Sequence, residues 1–175
     1  MKKNILGIVL LLFIYISKAQ SGADSVYSKT VKEQGDTMAN LLLRKDYKNF
    51  VEYLYPDLIK QAGGKSIMAG LIEEVLEDQE NKGFVLTGAE VEAPLIFVKT
   101  SKDIQCVVTQ TLTMKVKTGH VVARSSLIGI SVDQGKNWKF LDTQGKSIQT
   151  LHRSFPALSL QLVIPENDKP VFYRD

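Results

Sequence analysis

Between Asp24 and Gln79, apolar residues recur with the three- and four-residue spacing of amphipathic helices. Gly35 is a weak point in the first stripe, because glycine disfavours the interior of a helix. The apolar members of this stripe are Tyr27, Val31, Met38, Leu41 and Leu42. We therefore predict a first helix that ends before Asp46.

Two further helices are predicted from capping residues and from their apolar faces. Asp46 can cap the second helix, which Pro56 stops, and Ser66 can cap the third, which ends near Gly83. The apolar face is Tyr47, Phe50, Val51, Leu54 and Tyr55 on the second helix and Ile67, Met68, Leu71, Ile72, Val75 and Leu76 on the third. The acidic side of the third helix, Glu73, Glu74, Glu77 and Asp78, is predicted to face solvent.

From Phe84 onward the apolar period changes to two, which indicates β-strands. Residues 104–116 predict a long strand with one apolar face that only Gln110 interrupts, and a tight turn at Thr118-Gly119 leads into a second long strand. The other strands are predicted over residues 85–91, 95–98, 121–132 and 138–141. Helices followed by an antiparallel meander predict an α+β fold, with three N-terminal helices packed on the concave face of a curved antiparallel sheet.

The C-terminal part predicts a helix and strand extension of this domain. Residues 147–155 predict a short helix, and the alternation over residues 158–164 predicts a strand or extended segment that packs against the sheet. Residues 165–175 are predicted to form a polar tail, in which Val171 to Asp175 is a loose terminus.

Residues 1–19 have the pattern of a secretory signal peptide. Lys2 and Lys3 precede an apolar run from Ile5 to Ile16, which is shorter than the roughly 20 residues that span a bilayer. We predict cleavage near Ala19 and export to the periplasm or the medium, with an uncleaved anchor as the alternative. The mature domain then covers residues 20–164, before the polar tail.

Removal of the leader takes three lysines and no acidic residue, so that 19 basic and 19 acidic residues remain. A neutral domain without a Lys/Arg cluster is a poor candidate for nucleic-acid binding or for attraction to a membrane surface. The single cysteine, Cys106, cannot form an intramolecular disulfide, and its place in an alternating strand predicts a packed thiol.

The segment from Ser131 to Trp138 fits the S-x-D-x-G-x-x-W pattern and resembles the Asp-box of sialidase-type propellers. One copy in a chain of this length excludes propeller blades. We therefore expect a structural turn in which Asp133 caps backbone N–H groups, Gly135 supplies a positive φ and Trp138 packs inward.

The order of elements resembles the NTF2-like superfamily, the cystatin-like α+β roll, as in exported bacterial members. The resemblance covers roughly residues 24–142 and is carried by the opening helix, the Lys45-Asp46-Tyr47 start, the Pro56-Asp57 break and the long hairpin. It implies a conical cavity between helices and sheet, which superfamily members use as isomerases, dehydratases, transport factors or accessory domains. It implies no single activity.

Four residues are predicted to offer polar groups to this cavity: Tyr47, Tyr55, Gln110 and Ser125. An unpaired buried amide costs about 1–3 kcal/mol, so Gln110 needs a partner in the protein, in water or in a ligand. Tyr47 and Tyr55 lie on the inward stripe of the second helix, where core packing is the alternative to ligand binding.

The strand register decides whether Ser125 joins Gln110. A two-residue turn at Thr118-Gly119 places Leu127 opposite Gln110 and Ser125 opposite Leu112, with Ser125 on the inner face. A slip of one residue would instead place Arg124 and Ser126 there.

Enzymes of this superfamily place a carboxylate or histidine in the cavity as acid or base. Here His120 adjoins a turn, His152 lies on the tail helix, and neither long strand carries an acidic residue on its inner face. We therefore predict no catalytic residue, no metal site and no cofactor.

The sequence favours an exported, non-catalytic module that binds a small apolar or amphipathic ligand in the cavity or serves as an interaction module. The alternatives are an acid–base enzyme of the isomerase or dehydratase type, and a structural envelope protein whose cavity is filled by its own side chains. Val107, Ile128 and Ile130 on the outer sheet face predict a homodimer, with burial by the C-terminal strand as the alternative.

Overall fold

The computed structural model describes residues 24–94, 96–166 and 168–175, and in these residues it shows an α+β fold with one antiparallel sheet. The predicted signal peptide and its cleavage position lie outside the described residues. The helices are α1 (24–43), α2 (Tyr47–Phe50), α3 (Pro56–Gln61), α4 (Lys65–Asn81) and α5 (Ile148–Ser154). The strands are β1 (Val85–Val91), β2 (Phe97–Lys99), β3 (Ile104–Val116), β4 (Gly119–Ser131), β5 (Lys139–Asp142) and β6 (Val171–Arg174).

The long hairpin of β3 and β4 forms the centre of the sheet, whose order is β1-β3-β4-β5. Two shorter strands extend this path, because β2 pairs with the start of β3 and β6 pairs with the start of β4. The alternating pattern predicted β1 and β3 correctly.

The hairpin turn lies one residue earlier than predicted. Val116 pairs with Gly119, so the turn residues are Lys117 and Thr118, and Gly119 begins β4. Gln110 consequently faces Ser125 directly, where the predicted turn had placed Leu127. The shift is two positions in the pairing, so Ser125 still shares a face with Gln110.

The second and third helices differ from the prediction at three points. Asp46 caps α2 as predicted, accepting a hydrogen bond from the Asn49 backbone, but the regular helix ends at Phe50 and a 3-10 turn follows over Val51–Tyr53. Pro56 then begins α3, because proline suits the first turn of a helix. Gly64 precedes α4, so the prediction that Ser66 caps it was wrong.

Only half of the predicted apolar face of α4 packs on the core. Met68, Ile72 and Leu76 contact the helix side of the sheet, whereas Ile67, Leu71 and Val75 are exposed. The helix ends as predicted at Gly83, which has a positive φ, and the Phe84 backbone N–H donates to the Gln79 carbonyl.

The C-terminal segment differs most from its prediction. Residues 158–164 form turns and no strand, whereas residues 171–174, predicted to be a loose terminus, form β6. Helix α5 lies where it was predicted, with the Ser147 hydroxyl accepting from the Thr150 backbone.

The inner face of the sheet, which carries Cys106, Val108 and Leu127, packs against the first helices. The residues that bury it include Val31, Met38, Leu42, Tyr47, Phe50, Val51, Trp138 and Phe140. Helix α1 passes closely over β1, where a Cβ on Gly35 would lie 2.7 Å from Val91 Cγ1. Gly35 is therefore required by close packing.

The outer face, which carries Val107, Ile128 and Ile130, packs against α5 and the segment that follows it. Ile128 and Ile130 are buried by Leu151, Phe155, Leu158 and Leu162 among others. These residues are therefore buried by the C-terminal segment, which was the predicted alternative to a dimer, although this segment is not a strand. The oligomeric state itself stays a prediction.

The turn from Ser131 to Trp138 has the structural role that was expected. The Asp133 carboxylate accepts from the Asn137 backbone N–H at 2.9 Å and from the Ser131 hydroxyl at 2.8 Å. Gly135 has a φ of +81°, and Trp138 is buried with its indole N–H donating to the Thr30 hydroxyl at 3.0 Å. The turn thereby attaches the sheet to α1.

Candidate functional site

Tyr47 lies on the inner side of the sheet, in the short helix that Asp46 caps. Its side chain is 7% exposed and lines a small inner cavity together with Leu112 and Met114. Burial raises the pKa of Tyr47 and has a larger effect than the neighbouring charges. The nearest acid of this lining, Glu80, is held by Lys45 in an ion pair of 2.7 Å.

Gln110 and Ser125 face each other across the hairpin on the inner side. Gln110 is 6% exposed, and within the described part of the chain its amide has no hydrogen-bond partner. Neither residue lines the inner cavity beside Tyr47. The sheet therefore brings this pair together but separates it from the tyrosine.

Tyr55 belongs to the opposite side of the sheet. Its ring packs edge-on against Phe155 with 5.7 Å between the centroids, and its hydroxyl lies 3.2 Å from Asp57 Oδ2. Burial, followed by the charge of Asp57, raises the pKa of Tyr55 to about 12. The structure thus does not place Tyr55 with the other three predicted site residues.

The inner hollow is nearly filled by side chains. The remaining inner cavity has a volume of about 70 Å³, and its walls are mainly apolar. This volume holds a few water molecules and is well below the roughly 300–1,000 Å³ of small-molecule sites.

A larger cavity of about 300 Å³ lies at the edge of the sheet; we call it the edge cavity. It forms because the pairing of β1 with β3 ends at Gln110 and that of β2 with β3 begins at Cys106, and Pro94, Ile96 and Val107 line the space between these points. The C-terminal segment closes the other side through Leu162 and Val163. Its further lining residues include Pro94, Ile96, Val98, Thr109, Gln161 and Pro165.

A smaller polar cavity of about 90 Å³ has two lining residues, Thr109 and Pro165, in common with the edge cavity. Its other walls are Arg124, Ser125, Ser126, Glu166 and Asp168. Arg124 lies 3.8 Å from Glu92, which lines the edge cavity. An apolar space and a polar space therefore meet at Thr109.

The edge cavity does not follow from the hydrophobic pattern, because the alternation over residues 158–164 predicts a strand that would cover this face. A signal was available in the two prolines of its lining, Pro94 and Pro165. Proline cannot donate to a strand ladder, and both prolines lie where the chain leaves regular structure.

Cys106 lines none of these three cavities. Burial raises the pKa of the Cys106 thiol to about 12, so this cysteine is a packed, unreactive thiol, as its strand position predicted. Within residues 24–94, 96–166 and 168–175, no group of three His, Cys, Asp or Glu side chains could hold a metal ion. None of the helices described there has the length and apolar character needed to cross a bilayer.

Comparison of the chain with protein-family models, with curated proteins and with solved structures gives no match. The arguments for a function therefore come from the geometry of the chain itself.

Proposed function

We propose that the chain is an exported, non-catalytic binding module for a small apolar or amphipathic molecule, and that the edge cavity is its binding site. The observation that carries this proposal is the open cavity of about 300 Å³ that is lined mainly by apolar side chains. Small-molecule sites are usually apolar clefts of this size or larger, with a few polar groups that orient the ligand. Thr109 and Gln161 are polar groups of this kind.

We also propose that the fold is an NTF2-like roll. Four helices precede the strands, α1, α2 and α4 pack on the inner face, and a long hairpin forms the centre of the sheet. The C-terminal segment on the outer face is an addition to that pattern, and the proposed binding site lies between this addition and the sheet edge.

An acid–base enzyme working in the inner hollow is the weaker alternative. The inner cavity is too small for a substrate, and the carboxylate beside Tyr47 is already paired with Lys45. The side chains that nearly fill the hollow favour the other alternative, a cavity occupied by the protein's own core. Such a core is compatible with ligand binding at the edge of the sheet.

The proposal is tested by filling the edge cavity. Val107→Trp places a large side chain in it, whereas Thr111→Trp changes the same face of the same strand at a position outside its lining. We expect the uncharged fluorophore N-phenylnaphthylamine to bind the parent chain saturably. Val107→Trp should weaken this binding about tenfold, or roughly 1.4 kcal/mol, and Thr111→Trp should not.

A second variant protects the test against a folding defect. Val163→Trp lies on the rim of the cavity at a side chain that is 80% exposed, so it obstructs the opening without overpacking the core. Saturable binding that neither Val107→Trp nor Val163→Trp changes would refute the proposed site, and so would the absence of binding to the parent chain.

A further inference from the structure

We propose that the ligand of the edge cavity is a short amphipathic amine, whose apolar chain occupies the edge cavity and whose cationic group occupies the polar cavity. This inference rests on the proposed function and adds the chemical class of the ligand. It is carried by the arrangement of the two cavities, by the charges around the polar one and by the Ser126 hydroxyl, which opens into the polar cavity.

The two cavities are adjacent, and their characters differ. The edge cavity is enclosed mainly by apolar side chains such as Val98, Val107 and Leu162, whereas hydroxyl and carboxylate groups line the polar cavity. Thr109 and Pro165 line both. A molecule that fills both spaces therefore needs an apolar body joined to a polar end group.

The charges at the polar end favour a cation. Glu166 and Asp168 line the polar cavity, where Arg124 is the one positive residue among the described lining residues. Glu92 lines the adjacent edge cavity. Arg124 lies nearest to Glu92, at 3.8 Å, and within the described residues neither Glu166 nor Asp168 forms an ion pair. A protonated amine supplies the positive charge that this arrangement lacks.

Ser126 gives an independent indication of a polar ligand. It is only 5% exposed and lines the polar cavity, and no described residue forms a hydrogen bond with its hydroxyl. Thr143 Oγ1, and not this hydroxyl, is the fully buried side-chain atom without a partner among the described residues, so the Ser126 hydroxyl is open to the cavity. It is therefore an acceptor available to an ammonium N–H.

The size of the edge cavity limits the apolar part of the ligand. About 300 Å³ is at the lower end of the range for ligand sites, so one short chain fits and a two-chain lipid does not. We therefore expect a free single-chain amine, and a vesicle that contains an aminophospholipid serves as the comparison for a membrane-borne amine.

The test compares three probes of equal chain length, octylamine, octanol and octanoate, as competitors of N-phenylnaphthylamine at neutral pH and low salt. We expect octylamine to displace the fluorophore at about one fifth of the octanol concentration, the scale of two partly exposed ion pairs. Octanoate should bind more weakly than octanol. The preference for octylamine should decrease as salt is added.

The double variant Glu166→Gln/Asp168→Asn should remove most of the preference for octylamine and leave octanol binding unchanged. Glu74→Gln/Glu77→Gln removes two carboxylates from the exposed side of α4 and should retain the preference. Equal binding of the three probes, tightest binding of octanoate, or a preference that survives Glu166→Gln/Asp168→Asn would refute the amine and leave the cavity proposal standing. Displacement only by the vesicles would refute a free ligand, and failure of octanol itself would refute both proposals.

Discussion

Two glutamines on β3 are similarly buried but differ in their hydrogen bonds. Gln105 is fully buried, and its amide nitrogen donates to the Ala157 carbonyl at 2.9 Å while its amide oxygen accepts from the Ser159 backbone at 2.8 Å. Gln105 thereby attaches the C-terminal segment to the sheet. Gln110, on the other face, has no described partner.

Replacement by leucine should therefore have different effects at these two positions. Gln105→Leu leaves the Ala157 carbonyl and the Ser159 N–H, both partly buried hydrogen-bonding groups, without this partner, and we expect it to lower the free energy of unfolding by about 1–3 kcal/mol. Gln110→Leu has a similar volume and should change it by less than about 1 kcal/mol in either direction. Urea unfolding measures both. A loss of more than that for Gln110→Leu would show that this amide has a partner.

Tyr55 should contribute to stability in a way that depends on pH. Because its folded-state pKa, about 12, is raised above the value of 10.0 for an unburied tyrosine, the contribution is complete below pH 10 and is lost between pH 10 and 12. We expect the melting temperature to fall over this interval, and less steeply in Tyr55→Phe. The Cys106 thiol also loses its contribution to stability between pH 9 and 12, so part of the fall in melting temperature should remain in Tyr55→Phe. Identical slopes for the parent chain and Tyr55→Phe would contradict the assignment.

At the scale of elements, the Ser131–Trp138 turn depends on the charge of Asp133. Burial acts to raise the pKa of this carboxyl, but hydrogen bonds from Asn137 and Ser131 outweigh it and lower the pKa to about 2. A group with a lowered folded-state pKa stabilises the fold above its unfolded value, here 3.8, and loses this contribution as the pH falls towards 2.

Asp133→Asn should therefore be destabilised near neutral pH by about 1–2 kcal/mol and should approach the stability of the parent chain at pH 2. Thermal melts followed by circular dichroism between pH 2 and pH 7 measure this convergence. Asp46→Asn, which keeps a good N-cap, controls for the removal of one carboxylate. A constant difference between Asp133→Asn and the parent chain across this range would refute the role of the charge.

The contact of α1 with β1 is tested by two glycines in different helices. An added Cβ at Gly35 meets Val91 at 2.7 Å, and we expect Gly35→Ala to cost about 1–3 kcal/mol despite the better helix propensity of alanine. Gly70 on α4 has no atom within 4 Å of an added Cβ, so Gly70→Ala should stabilise by about 0.5–1 kcal/mol. Val91→Ala removes the contact with Cγ1 but keeps the one with Cβ at 2.9 Å, so it should rescue Gly35→Ala only in part. Equal effects at the two glycines would contradict the close packing of α1 on β1.

The elements with a strong local period were predictable from the sequence, and those that depend on distant contacts were not. The alternation over residues 104–116 predicted β3 correctly, and the Asp46 cap predicted the start of α2 but not its end at Phe50. The sequence predicts Gly119 as a turn residue, but in the structure it lies in β4 with a φ of +153°. A Cβ at this position would clash with the Tyr173 carbonyl, so glycine is needed for the pairing with β6. No pattern around residue 119 contains information about a strand at residue 171.

The C-terminal error has a similar cause. Alternating leucines predicted a strand, yet Leu158 and Leu162 are buried while Leu160 is 55% exposed. The four-residue spacing of the buried leucines follows the turns of this segment, which Gln105 holds through its hydrogen bonds to Ala157 and Ser159. These hydrogen bonds join residues that lie far apart in the sequence, so the local pattern does not reveal them. The candidate site could not be predicted either, because only Ser125 of the four predicted residues lines the polar cavity and none lines the edge cavity.

At the scale of the whole molecule, one sheet separates two apolar clusters. The first helices bury the inner face, and α5 with the C-terminal segment buries part of the outer face. The two coverings leave a space at the edge of β3, where the chain crosses from β1 to β2. The proposed site is therefore a consequence of how the two layers end, and it differs from the hollow between helices and sheet that the sequence indicated.

The most direct test is a titration of the methyl-labelled chain with octylamine, followed by the methyl NMR signals of each residue. We expect saturable shifts at Val98, Val107 and Leu162, and unchanged signals at Leu76, Leu112 and Met114 in the inner cavity. Shifts confined to the inner cavity, or no saturable shift at either place, would contradict the proposed site.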